Sequence, residues 1–327
     1  MTTRAVAAAF LIGSVVVAWF TITVPFAARV LQLTVGVSVI YVAWLAWHGA
    51  RVMRDAFAVA RSGAGEPTGL ARELPFVSLV VPARNEAPVI GDTVRSLLGL
   101  AYDGADGAPR YEVLVVDDRS ADATGEEARS ATGSATHASV QRREPGIGPQ
   151  TKGAVLGFAM PFLRGDVIGV IDADTHVEPA FLERAMHGWL RDATADALQV
   201  SRVPRNTSAS WLTAAQAEEQ LMDMASQCGR WATDGTAELR GNGMFVRRGA
   251  LESVGGWSEA ALTEDLELST RLSASGHHVT LAPEASVDEE AVEGIGALWR
   301  QRLRWAEGSL RRLLEHGPGL IAGRQPL

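Results

Sequence analysis

Apolar residues are concentrated in the N-terminal part of the chain. No charged residue occurs within residues 5–28 or within residues 30–50. Each run approaches or exceeds the roughly 20 residues that a helix needs to cross a bilayer. The pattern predicts a transmembrane helical hairpin over residues 1–50, with a short turn between crossings at about 5–24 and 31–48. A single long anchor is the main alternative. A cleaved signal peptide is less favoured, because its apolar core is only about 7–15 residues long.

Arginines follow the second apolar run, at Arg51, Arg54, Arg61 and Arg72. An excess of arginine beside a membrane span is typical of the cytoplasmic side. We therefore expect an inner (plasma) membrane protein whose globular part is cytoplasmic. Residues 51–75 contain the Gly- and Pro-bearing stretch RSGAGEPTGL and predict a linker.

Beyond the linker, short apolar runs alternate with amphipathic stretches. The apolar runs predict strands at 77–81, 112–116, 138–142, 167–171 and 197–203. The stretches between them predict helices at 87–100, 121–131, 153–163 and 178–190. This alternation is typical of an α/β fold with a mostly parallel sheet flanked by helices. Further helices are predicted at 209–232, 264–275 and 296–315, which gives a globular domain over 76–315 and a C-terminal tail over 316–327.

Charge and cysteine content exclude some classes of protein. The formal net charge is −8, whereas a nucleic-acid-binding protein is expected to carry a basic patch. The one cysteine, Cys228, rules out an intramolecular disulfide framework and a cysteine-based zinc site. We expect Cys228 to be a small core residue.

Acidic residues follow two of the predicted strands. EVLVV runs into Asp117 and Asp118, and VIGVI runs into a DAD sequence that holds Asp172 and Asp174. Ligands of an open parallel sheet bind beyond the carboxyl ends of its strands, and alternation along an extended chain points Asp172 and Asp174 to the same side. Two such carboxylates can hold Mg²⁺ or Mn²⁺ beside a diphosphate. A third acidic group, ending at Asp265, favours one coordinated site over separate turn and cap residues.

Two neighbouring features are weaker signals. The glycine-rich stretch GIGPQTKG is not a P-loop, in which Gly precedes the Lys and Ser or Thr follows it. Lys152 of this stretch is still a candidate phosphate contact at the start of a helix. His176, just after the DAD sequence, is a possible third metal ligand, but a solvated loop residue is the favoured interpretation.

Five motifs in order resemble one known family. SLVVPARNE, VVDDRS, DAD (172–174), TED (263–265) and QRLRW (301–305) are similar to the motif set of family-2 inverting glycosyltransferases. The resemblance covers roughly residues 76–315 and implies the GT-A fold, a nucleotide-sugar donor and a divalent metal. QxxRW is typical of the membrane-embedded members, such as cellulose and hyaluronan synthases.

The resemblance also implies a role for each matching residue. Asp265 would be the general base with Glu264 beside it, and Asp174 would hold the metal together with Asp172. Asp118 would bind the uracil base. The donor site as a whole would comprise Pro82, Ala83, Arg84, Glu86, Asp118, Lys152, Asp172, Gln301, Arg304 and Trp305. The acceptor would contact Gly241, Asn242, Gly243 and Trp257. Arg84 departs from the pattern, since many members place an aromatic residue there against the base.

A finer resemblance lies in ELRGNGMFVRR, GGW, TEDLELSTRL and LWRQRLRWAEG. These segments look like the β-monoglucosyldiacylglycerol synthases of cyanobacterial type. They imply transfer of glucose from UDP-glucose to a lipid acceptor such as diacylglycerol. Processive polysaccharide synthesis is the alternative within the family. A non-catalytic binding protein is a third hypothesis, which the intact DAD, TED and QxxRW motifs disfavour.

Two features stay open at this point. Residues 298–314 combine apolar residues at helical spacing with five arginines. Such a helix fits either the surface of a bilayer or the core of the domain. Trp257, after two glycines, is either a core residue or a platform for the acceptor.

Overall fold

The computed structural model describes residues 14–19, 21, 23–62, 74–192, 194–233 and 235–321. A long helix, α1 (Pro25–Ser62), precedes an α/β domain built on one seven-stranded sheet. The strands are β1 (Val77–Ala83), β2 (Tyr111–Asp118), β3 (Ala138–Arg143), β4 (Val167–Val170), β5 (Ala195–Pro204), β6 (Met244–Arg247) and β7 (His278–Glu289). The other helices are α2 (Ile90–Leu98), α3 (Thr124–Thr132), α4 (Lys152–Ala159), α5 (Phe181–Leu190), α6 (Trp211–Trp231), α7 (Arg248–Ser253), α8 (Glu264–Ala274) and α9 (Ile295–Ile321).

The sheet is mostly parallel, as the sequence predicts. Its strand order is β3-β2-β1-β4-β6-β5-β7. β1 pairs in parallel with β2 and β4, β2 with β3, and β5 with β7. β6 is the exception among the described strands, because it runs antiparallel to both β4 and β5.

Alternate strand residues fill two cores, one on each face of the sheet. Leu79 lies in one core with Ile90 of α2 and Phe181 of α5. Its neighbour Val80 lies in the other core with Leu156 of α4. Because side chains alternate along a strand, β1 supplies both cores and holds the three layers together. Because β1 pairs in parallel with both β2 and β4, the carboxyl ends of these three strands meet at one edge of the sheet.

The N-terminal helix differs from the predicted hairpin and linker. α1 begins at Pro25, since proline fits the first turn of a helix, and so the turn predicted between the two crossings is helical. The first crossing lies mostly outside the described residues. α1 continues to Ser62, so residues 51–62 of the predicted linker are helical as well. At the other end, α9 continues to Ile321, and residues 316–321 of the predicted tail are helical.

α1 is extended because its C-terminal half packs against α6. Leu45 is buried, and Gly229 of α6 lies directly against its backbone. One turn further on, Gly49 lies against the backbone of Ala225. Before Leu45, the large apolar side chains of α1 are exposed. Among the described residues, one helical stretch, Pro25–Ala58, is long and apolar enough to cross a membrane, and an 18-residue window within it has a mean hydropathy of 1.8.

Candidate active site

Residues from three separate segments converge around one lysine. Lys152, the first residue of α4, hydrogen-bonds Oδ1 of Asp172 beyond β4. Its Nζ also donates to the carbonyl oxygen of Gly241 at 2.9 Å and lies 3.7 Å from Oε1 of Glu264. Asp265 belongs to the same group, because a Cβ at Gly241 would lie 3.2 Å from Asp265 Oδ2 and 3.8 Å from Lys152 Nζ. We call Lys152, Asp172, Gly241, Glu264 and Asp265 the lysine cluster.

The two acids of the TED motif open helix α8. The helix N-terminus stabilises negative charge there, and Oδ1 of Asp265 accepts a hydrogen bond from the backbone N–H of Leu266 at 2.8 Å. Burial nevertheless raises the pKa of Asp265. Burial also raises the pKa of Glu264 to about 7, although Lys152 opposes the shift. A carboxylate whose pKa is raised is better suited to accept a proton from a hydroxyl group.

The DAD sequence presents a second pair of acids. Ala173 is buried whereas Asp172 and Asp174 are half-buried, so both carboxylates face away from the core as alternation predicts. Burial and then the charge of Asp172 raise the pKa of Asp174. Burial and then the charge of Asp174 likewise raise the pKa of Glu86, after β1. This crowding of negative charge makes the site favourable for a cation.

The carboxylates of this site fit a divalent metal ion that also binds the phosphate groups of a substrate. Mg²⁺ is usually bound through one or two carboxylates together with substrate phosphates. Asp172 and Asp174 supply two carboxylates, and among the described residues no group of three His, Cys, Asp or Glu side chains is placed to hold a metal. His176 does not join the pair, because its side chain is exposed and its backbone pairs with Asp288.

Asp118, at the end of β2, is held by two arginines. Its Oδ1 accepts from Arg119 Nε at 2.8 Å and from Arg143 Nη1 at 2.7 Å, and its Oδ2 accepts from Arg119 Nη2 at 3.0 Å. Both arginines also donate to the carbonyl oxygen of Pro149, in the glycine-rich stretch. Asp118 thus anchors the loop before Lys152. A carboxylate offers about four acceptor positions, so one on Oδ2 is left for a ligand.

The end of β1 lies beside this loop. Pro82 and Ala83 pair with Val116 and Asp117 of β2. Arg84 is exposed and donates to Oε1 of Gln150 at 3.1 Å. The next residue, Asn85, has a φ of 57° and accepts from the backbone N–H of Ala121. The predicted donor residues of the first two motifs are therefore brought to one edge of the sheet. Arg84 stands where many family members have an aromatic residue.

Asn242 has a positioning role that differs from the predicted acceptor contact. Its Oδ1 accepts from the backbone N–H of Asp172 at 3.1 Å. Its Nδ2 donates to Thr175 Oγ1 at 3.0 Å and to Glu289 Oε2 at 3.1 Å. Both amide protons are used within the protein, and the side chain is buried. Asn242 therefore fixes the backbone of the DAD sequence.

A buried ion pair supports Asn242 and was not predicted from the sequence. Arg202 of β5 forms a bidentate pair with Glu289 of β7, with distances of 2.9 and 2.7 Å. Burial alone would raise the pKa of Glu289, but Arg202 and Asn242 lower it. The partners are 87 residues apart, and no local pattern links them.

Two other predicted acceptor residues also lie in packed positions. Gly243 has a φ of 65°, and a Cβ there would collide with Val200 of β5. Trp257 is buried and belongs to the core that contains Val80. Gly241, by contrast, lies in the lysine cluster. Of the four predicted acceptor residues, Gly241 is thus the one placed beside the acids.

The QxxRW motif lies on α9, which packs on the TED motif. A Cβ at Gly308 would lie 2.5 Å from Thr263 Oγ1. Arg312 donates to Glu238 Oε1 at 3.1 Å and to the carbonyl oxygen of Leu266 at 3.3 Å. Gln301 and Trp305 are half-buried and Arg304 is exposed. α9 therefore has one face on the domain, while Ile295, Trp299, Leu303, Leu313 and Leu314 are exposed.

Comparison with known proteins identifies the family of the chain. A family model described as glycosyltransferase like family 2 matches residues 75–308. The β-monoglucosyldiacylglycerol synthase of Synechocystis sp. is 39% identical over 251 residues, which are 76% of this chain and 51% of that protein. The chain spans about half the length of the curated relatives it matches first.

Two solved structures share the fold. The mannosyltransferase PcManGT from Pyrobaculum calidifontis, in complex with GDP-Man and Mn²⁺, has a TM-score of 0.59 and 21% identity, and covers 83% of this chain and 75% of that chain. Glucosyl-3-phosphoglycerate synthase from Mycobacterium tuberculosis, in complex with Mn²⁺, UDP-glucose and phosphoglyceric acid, has a TM-score of 0.50 and 21% identity, and covers 73% of this chain and 79% of that chain. The GT-A-type fold predicted from the sequence is confirmed.

Proposed function

The chain belongs to glycosyltransferase family 2, and on that basis we propose that it transfers one glucose residue from UDP-glucose to the hydroxyl group of a lipid such as diacylglycerol. The observation that carries this proposal is the position of Asp265. It lies beside Lys152 and Gly241, close to the acids that suit a metal-bound diphosphate. The proposed proton acceptor would thus be adjacent to the proposed donor site, as an in-line displacement requires.

The donor would lie along the edge where β1, β2 and β4 end. Asp118 offers its free acceptor position on Oδ2 to the base, while Asp172 and Asp174 hold the metal ion. When bound there, the metal ion would stabilise the negative charge that develops on the departing diphosphate. We expect Arg304, which is exposed on α9, to bind the diphosphate. Gln301 and Trp305 lie on the same helix.

Asp265 would accept the proton of the attacking hydroxyl group. The anomeric carbon forms a bond to the acceptor oxygen as its bond to the diphosphate oxygen breaks, which inverts the configuration. The proton passes to Asp265, and the electron pair of the broken bond leaves with UDP. Burial raises the pKa of Asp265, which brings this carboxylate closer to the basicity needed at neutral pH.

The lipid acceptor is supported by two independent features. The Synechocystis relative is named as a synthase of monoglucosyldiacylglycerol. The exposed apolar part of α1 fits a membrane anchor, and the arginines that follow favour a cytoplasmic domain. An anchored domain would meet a lipid substrate at the bilayer surface.

Replacing Asp265 by Asn tests the assignment of the base. We expect transfer from radiolabelled UDP-glucose to diacylglycerol to fall by about 10²–10⁴-fold, the usual contribution of general base catalysis. Binding of UDP with Mn²⁺ should change little, because Asn keeps the size of the side chain. Asp92, which is exposed on α2, provides the control, and Asp92→Asn should keep full transfer. An Asp265→Asn variant that transfers glucose at the wild-type rate would refute the proposed base.

A further inference from the structure

Lys152 is the single lysine of the chain. All the other residues among the 30 Lys and Arg are arginines. The cation in the lysine cluster is therefore chemically distinct from every other basic side chain of the protein. Lysine carries a compact point charge, whereas the planar guanidinium of arginine is larger and binds carboxylates in a fixed fork.

The position of Lys152 places this compact charge on a predicted metal ligand. Thr151 caps α4 by accepting from the backbone N–H of Ala154, which fixes the helix start from which Lys152 extends. The ammonium group bonds to Asp172 Oδ1 and to the carbonyl oxygen of Gly241. About a quarter of the Lys152 side chain is exposed, so a ligand can reach it.

The ammonium group of Lys152 and a metal ion compete for the carboxylate of Asp172. The lone pair on Asp172 Oδ1 that accepts from Lys152 is not available to a metal ion, and two cations on one carboxylate repel each other. A diphosphate removes the conflict, because lysine binds phosphate oxygens well as a point charge. Lys152 then has an alternative partner that arrives with the donor.

We propose that Lys152 is an internal competitor of the metal ion for Asp172, so that metal binds tightly together with a diphosphate and weakly without one. This inference rests on the proposed function for the identity of the metal site. The proposal predicts that the affinity for the metal ion depends on whether a diphosphate is bound, which the fold alone does not require. Lys152 would act as a positioning residue that links metal binding to donor binding.

The test is the affinity of the full-length protein for Mn²⁺ without nucleotide, measured by electron paramagnetic resonance. Lys152→Met should bind Mn²⁺ about ten-fold more tightly than wild type, which corresponds to about 1.4 kcal/mol of relieved competition. Equal or weaker binding by the variant would overturn the proposal.

A matched control separates direct competition from a general effect of charge. Arg202 contributes to the electrostatics of Asp172, but its hydrogen bonds go to Glu289 and Arg240. Arg202→Gln therefore removes one positive charge without freeing an oxygen of Asp172. It should gain much less Mn²⁺ affinity than Lys152→Met, and an equal gain would contradict competition at Asp172.

A second measurement uses the wild-type chain. Reductive methylation with ¹³C-formaldehyde labels one side chain, Lys152, in addition to the N-terminal amine. Titration with Mg²⁺ should shift the dimethyl-lysine signal as the metal displaces the ammonium group. An unchanged signal at saturating Mg²⁺ would overturn the proposal.

Adding UDP tests the proposed donor separately. We expect UDP to tighten Mn²⁺ binding by wild type. If it does not while Lys152→Met gains affinity, Lys152 competes with the metal ion at Asp172, but the link to a diphosphate and the UDP donor are both refuted.

Discussion

Gly308 of α9 lies directly against Thr263 of the TED motif, where a Cβ would come within 2.5 Å of the threonine Oγ1. Thr263 is buried and precedes Glu264 and Asp265. The absence of a side chain at Gly308 lets α9 approach the start of α8. Since α9 also carries Gln301, Arg304 and Trp305, this contact sets the distance between the QxxRW motif and the proposed base.

Gly308→Ala should therefore weaken both the fold and the transfer reaction. Overpacking of a close contact costs about 1–3 kcal/mol, so we expect a lower unfolding temperature and a lower kcat for transfer. Gly249→Ala is the matched control, because a Cβ at Gly249 meets nothing within 4 Å. Alanine is favoured over glycine in helices by up to about 1 kcal/mol. Thermal unfolding should rank Gly249→Ala at or above wild type, and Gly308→Ala below it.

Glu264 should make the stability of the protein depend on pH. Burial raises its pKa from 4.5 to about 7 in the folded protein. Between these values, the folded protein keeps a proton that the unfolded chain has released. The stabilisation is complete below pH 4.5 and is lost as the pH rises through about 7. For one proton the slope cannot exceed about 1.4 kcal/mol per pH unit.

The Glu264→Gln variant has no titratable group at this position and serves as the comparison. Chemical unfolding between pH 5 and pH 8 should show that the free energy of unfolding falls less steeply with pH in the variant than in wild type. Other acids with raised pKa values, such as Asp174, remain in both proteins. Identical slopes would mean that Glu264 titrates normally in the folded state.

Arg143 should be important for stability because it is buried with Asp118. Its side chain is 1% exposed and that of Asp118 is 7% exposed. Removing one partner of a buried ion pair costs up to about 3–5 kcal/mol. The cost should be smaller here because Arg119 still pairs with Asp118, although the carbonyl oxygen of Pro149 would lose a donor as well. We expect Arg143→Met to lower the unfolding temperature strongly. Arg95→Met removes an exposed pair with Asp92 and should cost at most about 1 kcal/mol.

The crossing of α1 and α6 should depend on glycine. A Cβ at Gly49 would collide with the carbonyl oxygen of Ala225, whereas one at Gly36 of the same helix meets nothing within 4 Å. Gly49→Val should therefore lower the unfolding temperature of the purified protein, while Gly36→Val should leave it unchanged. The same response from both variants would show that α1 does not need this close approach.

Local patterns in the sequence predict the elements of the fold well. The strand 77–81 is observed as Val77–Ala83 and the helix 209–232 as Trp211–Trp231. The strand is a short apolar run buried on both faces, and the helix buries residues at helical spacing. Residues 51–62 of the predicted linker are helical, and Met53 of this part of α1 lies in one core with Met224 and Cys228 of α6, about 170 residues further along the chain.

The candidate site, too, was predicted only in part from the sequence. Its acids follow strands or open a helix, so Asp172, Asp174 and Asp265 could be found from position alone. The partners that hold them could not. Arg143 binds Asp118 across a sheet register, and Arg202 binds Glu289 at a separation of 87 residues. Such pairs are set by tertiary packing and leave no periodic signal.

The most direct test of the account is mass spectrometry of lipids after the full-length protein, in diacylglycerol-containing vesicles with Mg²⁺, is incubated with a panel of nucleotide sugars. We predict one new lipid, diacylglycerol with a single added hexosyl unit, that forms with UDP-glucose and is absent with Asp265→Asn. A ladder of longer glycans, or no glycosylated lipid with any sugar of the panel, would contradict it.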